Sequence, residues 1–121
     1  MARPVLGEDH IHPAIREVVA SHHHDIIEEV KKAVAAYPVV VVGMAMNPMP
    51  TKARAALTQA GIEYRYLEYG NYFNAWRRRN ALKMWTGWPT FPMVFVKGVL
   101  VGGAADVEVL IRSGELKKML A

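Results

Sequence analysis

Histidines, cations and thioethers are the side chains here that could do chemistry, and thiols are not, because the 121 residues include no cysteine. No side chain of the chain can therefore attack a disulfide, form one, or offer a thiolate to a metal or cluster. His10-Ile11-His12 and His22-His23-His24, with Asp25 and Glu28, raise a metal site, since His24 and Glu28 share a helix face. Three consecutive helical residues point about 100° apart, so the triplet cannot converge on one ion. These histidines are read as solvated or capping, and no metal is expected. Trp76, Trp85 and Trp88 around Arg77-Arg78-Arg79 have the composition of a single-strand nucleic-acid surface. Trp85 and Trp88 are expected to pack on a sheet, with the arginines forming a ligand-facing or solvated rim, so nucleic acid is not the expected partner. Arg79 and Lys83, four residues apart, share one helix face. Gly-rich phosphate loops, Ser/His/Asp patterns with recognisable context and paired-carboxylate motifs are all missing.

The elements that must position these groups follow from pattern. A chain of this length is one domain. Its 52% hydrophobic and 21% charged residues are those of a globular protein, and its formal charge of +4 is spread along the chain. No apolar run approaches the roughly 20 residues of a membrane span. The N-terminal stretch has no apolar core of a secretory signal, and a cytoplasmic protein is expected. Residues 1–12 read as an arm. Pro13 opens a helix expected to run to Ala36, about 36 Å long at the standard rise, although His22 to His24 interrupt its apolar stripe. Val39 to Val42 is a strand covered on both faces. A tight segment, Gly43 to Pro50, leads to a helix from Thr51 to about Ala60, where Asn47 is a good cap and Pro50 suits the first turn. Tyr64 to Tyr69 is a second strand, Tyr72 to Trp85 a third helix, and Met93–Val101 a hairpin turning at Lys97-Gly98. A last helix begins at Asp106, with a break at Ser113-Gly114.

Two stretches go beyond a generic α/β pattern. Trp88-Pro89-Thr90-Phe91-Pro92-Met93-Val94-Phe95-Val96-Lys97-Gly98, running to Val101-Gly102-Gly103, is the first. The ending Ser113-Gly114-Glu115-Leu116-Lys117-Lys118-Met119-Leu120 is the second. Together they resemble the C-terminal half of the glutaredoxins, particularly the monothiol class, and the resemblance reaches back to the first strand, over residues 38–120. It implies an α/β, thioredoxin-like three-layer fold: a mixed four-stranded sheet with helices on both faces. Residues 1–37 would form an arm and helix packed on a domain spanning 38–121.

The resemblance also implies a ligand groove. Pro92 is expected to be cis, with the main chain of Phe91 pairing with an extended ligand. The family's nucleophile position falls on Asn47, within Asn47-Pro48-Met49-Pro50, and Met44 stands near the position of a family lysine. Arg79 and Lys83 fall on the cations for the ligand carboxylate, and Thr90, Phe91, Pro92 and Gly103 are retained. Ala104-Ala105 replaces a polar pair, and Asp106 either substitutes for it or caps the helix. Asn47 likewise is either a cap or a ligand contact. The groove is thus Asn47, Arg79, Lys83, Thr90, Phe91, Pro92, Gly103 and Asp106, with no catalytic residue. Glutathione is implied only as a weak ligand, and no iron–sulfur cluster is expected through the chain's own thiolates. The implied role is a non-catalytic binding or regulatory module for a protein partner, small peptide or thiol, with a homodimer through the Tyr64, Tyr66 and Tyr69 strand left open. The alternative is an enzyme that uses bound glutathione as its thiol.

Overall fold

The computed structural model describes residues 2–71 and 74–121. Val39–Gly43 (β1) is buried along its whole length and forms the centre of a four-stranded sheet in the order β2-β1-β3-β4. Arg65–Glu68 (β2) runs parallel to β1, while Met93–Val96 (β3) is antiparallel to it and to Val99–Gly102 (β4). The sheet is mixed, as the βαβ-plus-hairpin pattern implied.

Successive side chains of a strand point to opposite faces, and β1 divides two cores in this way. Val40 and Val42 join Met93 and Phe95 against Ile26 and Val30 of His24–Ala36 (α2) and Leu82 of Trp76–Thr86 (α4). Val39 and Val41 join Val94 and Val96 on the other face. They pack against Leu57 of Pro48–Gln59 (α3), Val107 of Ala104–Ser113 (α5) and Leu116 of Glu115–Leu120 (α6). The result is three layers, with helices on both faces.

The long N-terminal helix is not one rod. Pro13–Ser21 (α1) ends at His22, and His23 takes a left-handed conformation, φ 45°, before α2 begins. The cause is burial. Ile15, Val18 and Val19 are all about half exposed or more and α1 buries nothing, whereas Ile26 and Val30 of α2 are fully buried. The histidine triplet interrupts the apolar stripe, so no packing holds the two halves in line. Other boundaries differ by a turn or less. The strand expected over Tyr64–Tyr69 pairs only over Arg65–Glu68, and the last helix starts at Ala104, with Asp106 inside its first turn. The third helix begins at Trp76 rather than Tyr72, and Tyr72 itself lies outside the described residues. The break in the final helix falls at Gly114, which adopts φ 79°.

Candidate functional site

Three segments meet beyond the C-terminal end of β1. At Gly43 a β-carbon would lie 2.8 Å from the Pro50 ring, so only glycine lets the strand end approach the first turn of α3 this closely. That contact sets Asn47 as the N-cap: its Oδ1 accepts from the Met49 N–H at 3.0 Å. Its Nδ2 reaches the Phe91 carbonyl at the long distance of 3.5 Å. Phe91 and Pro92, both buried and joined by a cis peptide bond, lead into β3. From the third side, the β4–α5 turn brings Gly103, whose N–H donates to Asp106 Oδ2 at 2.9 Å. Of the two roles open to Asp106, the structure shows the cap.

A groove of about 460 Å³ lies between these segments, and Asn47, Lys83, Thr90, Phe91, Pro92, Gly103 and Asp106 all border it. Lys83 sits on the α4 rim with its Nζ 5.8 Å from the centre of the Phe91 ring. Arg79 does not border it. That side chain is only 6% exposed, and its Nη1 donates to the carbonyls of Tyr69 at 3.0 Å and Asn74 at 2.6 Å. Helical spacing put Arg79 and Lys83 on one face, but the uncapped chain between β2 and α4 takes the guanidinium one turn earlier.

The groove also has walls that the pattern of functional positions did not mark. Met44, 6% exposed, and Met49, 44% exposed, flank Asn47. Trp88 packs against the core with one part and borders the groove with another, and its Nε1 is buried with no partner among the described residues. The signal was present in Trp88-Pro89-Thr90: two residues apart in extended chain, Trp88 and Thr90 face one way. Two larger hollows, of about 600 and 650 Å³, adjoin Tyr37 and Pro38 at the opposite end of β1. Their charged residues, among them Glu63, Arg65 and Lys97, are exposed, so they are solvated hollows without a desolvated polar group. Among the described residues no three His, Asp or Glu side chains gather as metal ligands, and His24 instead pairs with Glu28 at 3.1 Å.

Comparison with known proteins gives the same assignment along the chain. The glutaredoxin family model matches residues 39–101, a little over half of it. A glutaredoxin-like protein of Dictyostelium discoideum is 43% identical over 102 residues, covering 84% of this chain and 83% of that protein. A probable monothiol glutaredoxin 2 of Rickettsia felis is 42% identical over 69 residues, 57% of this chain and 64% of that one. The solved structure of oxidized glutaredoxin 2 from Chlamydomonas reinhardtii superposes with a TM-score of 0.69 at 32% identity, covering 81% of this chain and 92% of that one. With the three-layer thioredoxin-like sheet and the cis Phe91–Pro92 junction, these matches make the chain a cysteine-free member of the glutaredoxin family.

Proposed function

We propose that the chain is a non-catalytic binding or regulatory module of redox and glutathione physiology, which holds a ligand in this groove and exchanges no disulfide with it. The observation that carries the proposal is Asn47. An amide caps α3 at the position where the family resemblance puts the nucleophilic cysteine, and an amide neither ionises nor attacks sulfur. The compartment that fits is the cytoplasm, where thiols are kept reduced.

Glutathione is a poor fit to the anchors that remain. With Arg79 engaged by main-chain carbonyls, only Lys83 is left for a carboxylate on the α4 rim. A hydrogen bond to a charged group contributes about 1.5–3 kcal/mol, so losing one weakens binding by about tenfold or more. Purified protein is expected to show no disulfide reduction or deglutathionylation above a buffer control, and either activity overturns the proposal. A ¹⁵N-NMR titration with reduced glutathione is expected to move the amides of Asn47, Phe91 and Gly103 only at millimolar concentration. One observation favours the second reading, an enzyme whose thiol is bound glutathione. With Oδ1 fixed as the α3 cap, the Asn47 Nδ2 makes only a 3.5 Å contact to the Phe91 carbonyl, which leaves an N–H to donate to a ligand sulfur. Saturable, tight shifts in the same titration would support that reading instead.

A further inference from the structure

The histidines do not gather, but thioethers do. Three of the seven methionines lie in one stretch, Met44-Ala45-Met46-Asn47-Pro48-Met49, where the chain turns from β1 into α3. The turn is pinned on both sides of Met46. The Ala45 N–H donates to the Gly70 carbonyl at 2.8 Å, and the Met49 N–H donates to Asn47 Oδ1 at 3.0 Å. Met44 and Met49 border the same groove, Met44 buried and Met49 half-exposed. Between them Met46 holds a left-handed backbone, φ 65°, which costs a residue with a β-carbon about 1–2 kcal/mol. Packing does not offset that cost, because the side chain is 66% exposed. Strain without burial to compensate it concentrates at functional sites.

We infer that Met44, Met46 and Met49 form a site for a soft monovalent metal ion, Cu(I), at the edge of the groove. Met44 and Met49 offer their thioethers from its wall, and the exposed Met46 closes over the ion. The ends of a four-residue turn lie within about 7 Å of each other. A methionine side chain has three rotatable bonds with which to bring its sulfur inward. The donor set decides the metal. Zinc takes thiolate, imidazole and carboxylate ligands, and calcium and magnesium take oxygens. Thioethers are soft, neutral donors and suit Cu(I). Charge points the same way: Lys83 and the N-terminus of α3 weigh against a divalent ion, and Asp106 is the one carboxylate bordering the groove among the described residues. The ion is held without change of oxidation state. This goes beyond the binding-module reading and needs no glutathione.

The test is a titration of the full chain with Ag(I), a redox-inert stand-in for Cu(I), in chloride-free buffer, read on the ¹³C-methyl signals of the methionines. At about pH 5 an ordinary imidazole is protonated and does not compete for the ion. Met84 is the internal control, being 63% exposed and the one methionine of α4. The methyls of Met44, Met46 and Met49 are expected to shift together and to saturate at a single equivalent, with Met84 unmoved. Leucine keeps the bulk of methionine without its sulfur. Met46→Leu and Met49→Leu are each expected to weaken Ag(I) binding by about tenfold or more, since even outer-shell changes cost that much. Anaerobic competition for Cu(I) against a chromogenic chelator should show the same loss, and Met84→Leu should show none. The ¹⁵N spectrum of each variant checks that it is folded. Equal shifts at Met84, or undiminished affinity in both leucine variants, overturn the inference. So does the absence of any methyl shift. Glutathione takes no part in this titration, so the metal site and the binding-module reading can fail separately.

Discussion

Asn47 and Arg79 mark the two outcomes a single residue can have when a family pattern is carried onto a new chain. The capping role of Asn47 was legible, because a side-chain acceptor ahead of a proline-containing first turn serves the free N–H groups of a helix in any fold. Asn47→Ala is expected to cost about 1 kcal/mol in urea unfolding, with Asn47→Asp close to wild type. An Asn47→Cys variant is expected to alkylate with a pKa below the ordinary value of about 8.5, since the end of α3 favours a thiolate. Alkylation midpoints at or above that value would show that the site has lost its activating field. The fate of Arg79 was not legible. Spacing gives the face of a helix but not which carbonyls lie beside it, and here those of Tyr69 and Asn74 hold the guanidinium. Arg79→Ala is therefore expected to destabilise the fold by about 1–3 kcal/mol, leaving the buried Tyr69 carbonyl and the partly buried Asn74 carbonyl without their donor. The groove's response to ligand is expected to persist in it. A loss of ligand shifts without loss of stability would return Arg79 to the binding site.

At the scale of elements, α1 and α2 have similar apolar content and opposite fates. Both have apolar residues at helical spacing, so periodicity alone predicted one continuous helix. What separates them is whether a surface exists to receive the stripe, and only α2 has one, against α4 and β1. Ile26→Ala is expected to cost 2–5 kcal/mol, as for large-to-small changes in a core, whereas Val18→Ala should stay within about 0.5 kcal/mol. Native-state hydrogen exchange gives an independent check: α1 amides should exchange near the rate of open chain, and those at Ile26 and Val30 at close to the global unfolding free energy. Equal protection along the two helices would mean that α1 is held by something its exposure does not reveal. The hairpin and β1 were easier to anticipate, because a β-branched run and a Gly-containing turn specify strand and register from within the segment itself.

The whole molecule is tied together by phenols on both faces of the sheet, and this sets its response to alkali. Tyr69, buried on the α2–α4 side, donates its hydroxyl to Glu29 of α2; burial first and that carboxylate second hold its pKa well above the usual tyrosine range. On the α3–α5 side Tyr66 is pushed up to about 12, again by burial first and then by its hydrogen bond to Glu68. Tyr64 is displaced the other way, lowered chiefly by its contact with Arg54. The sign follows from which state binds the proton. A phenol with a raised folded pKa stays protonated in the fold after the unfolded chain has released it. Its contribution is complete below about pH 10, the unfolded value, and is lost as pH rises toward the folded one. Tyr64 acts in a lower window: its contribution grows as pH rises through its lowered folded value and is complete above about pH 10, where the other two begin to be lost. Stability is expected to fall between about pH 10 and about pH 12, each raised phenol adding a slope of about 1.4 kcal/mol per pH unit at full titration. Tyr69→Phe should remove one such slope while leaving the neutral plateau flat, and Tyr64→Phe should remove the gain just below about pH 10 and leave the decline above it unchanged. Urea unfolding from neutral pH to about pH 12 reads both effects. Parallel curves for Tyr69→Phe and wild type would mean that the Tyr69 hydroxyl ionises as readily in the fold as in the open chain, and that its hold on Glu29 does not join α2 to the sheet.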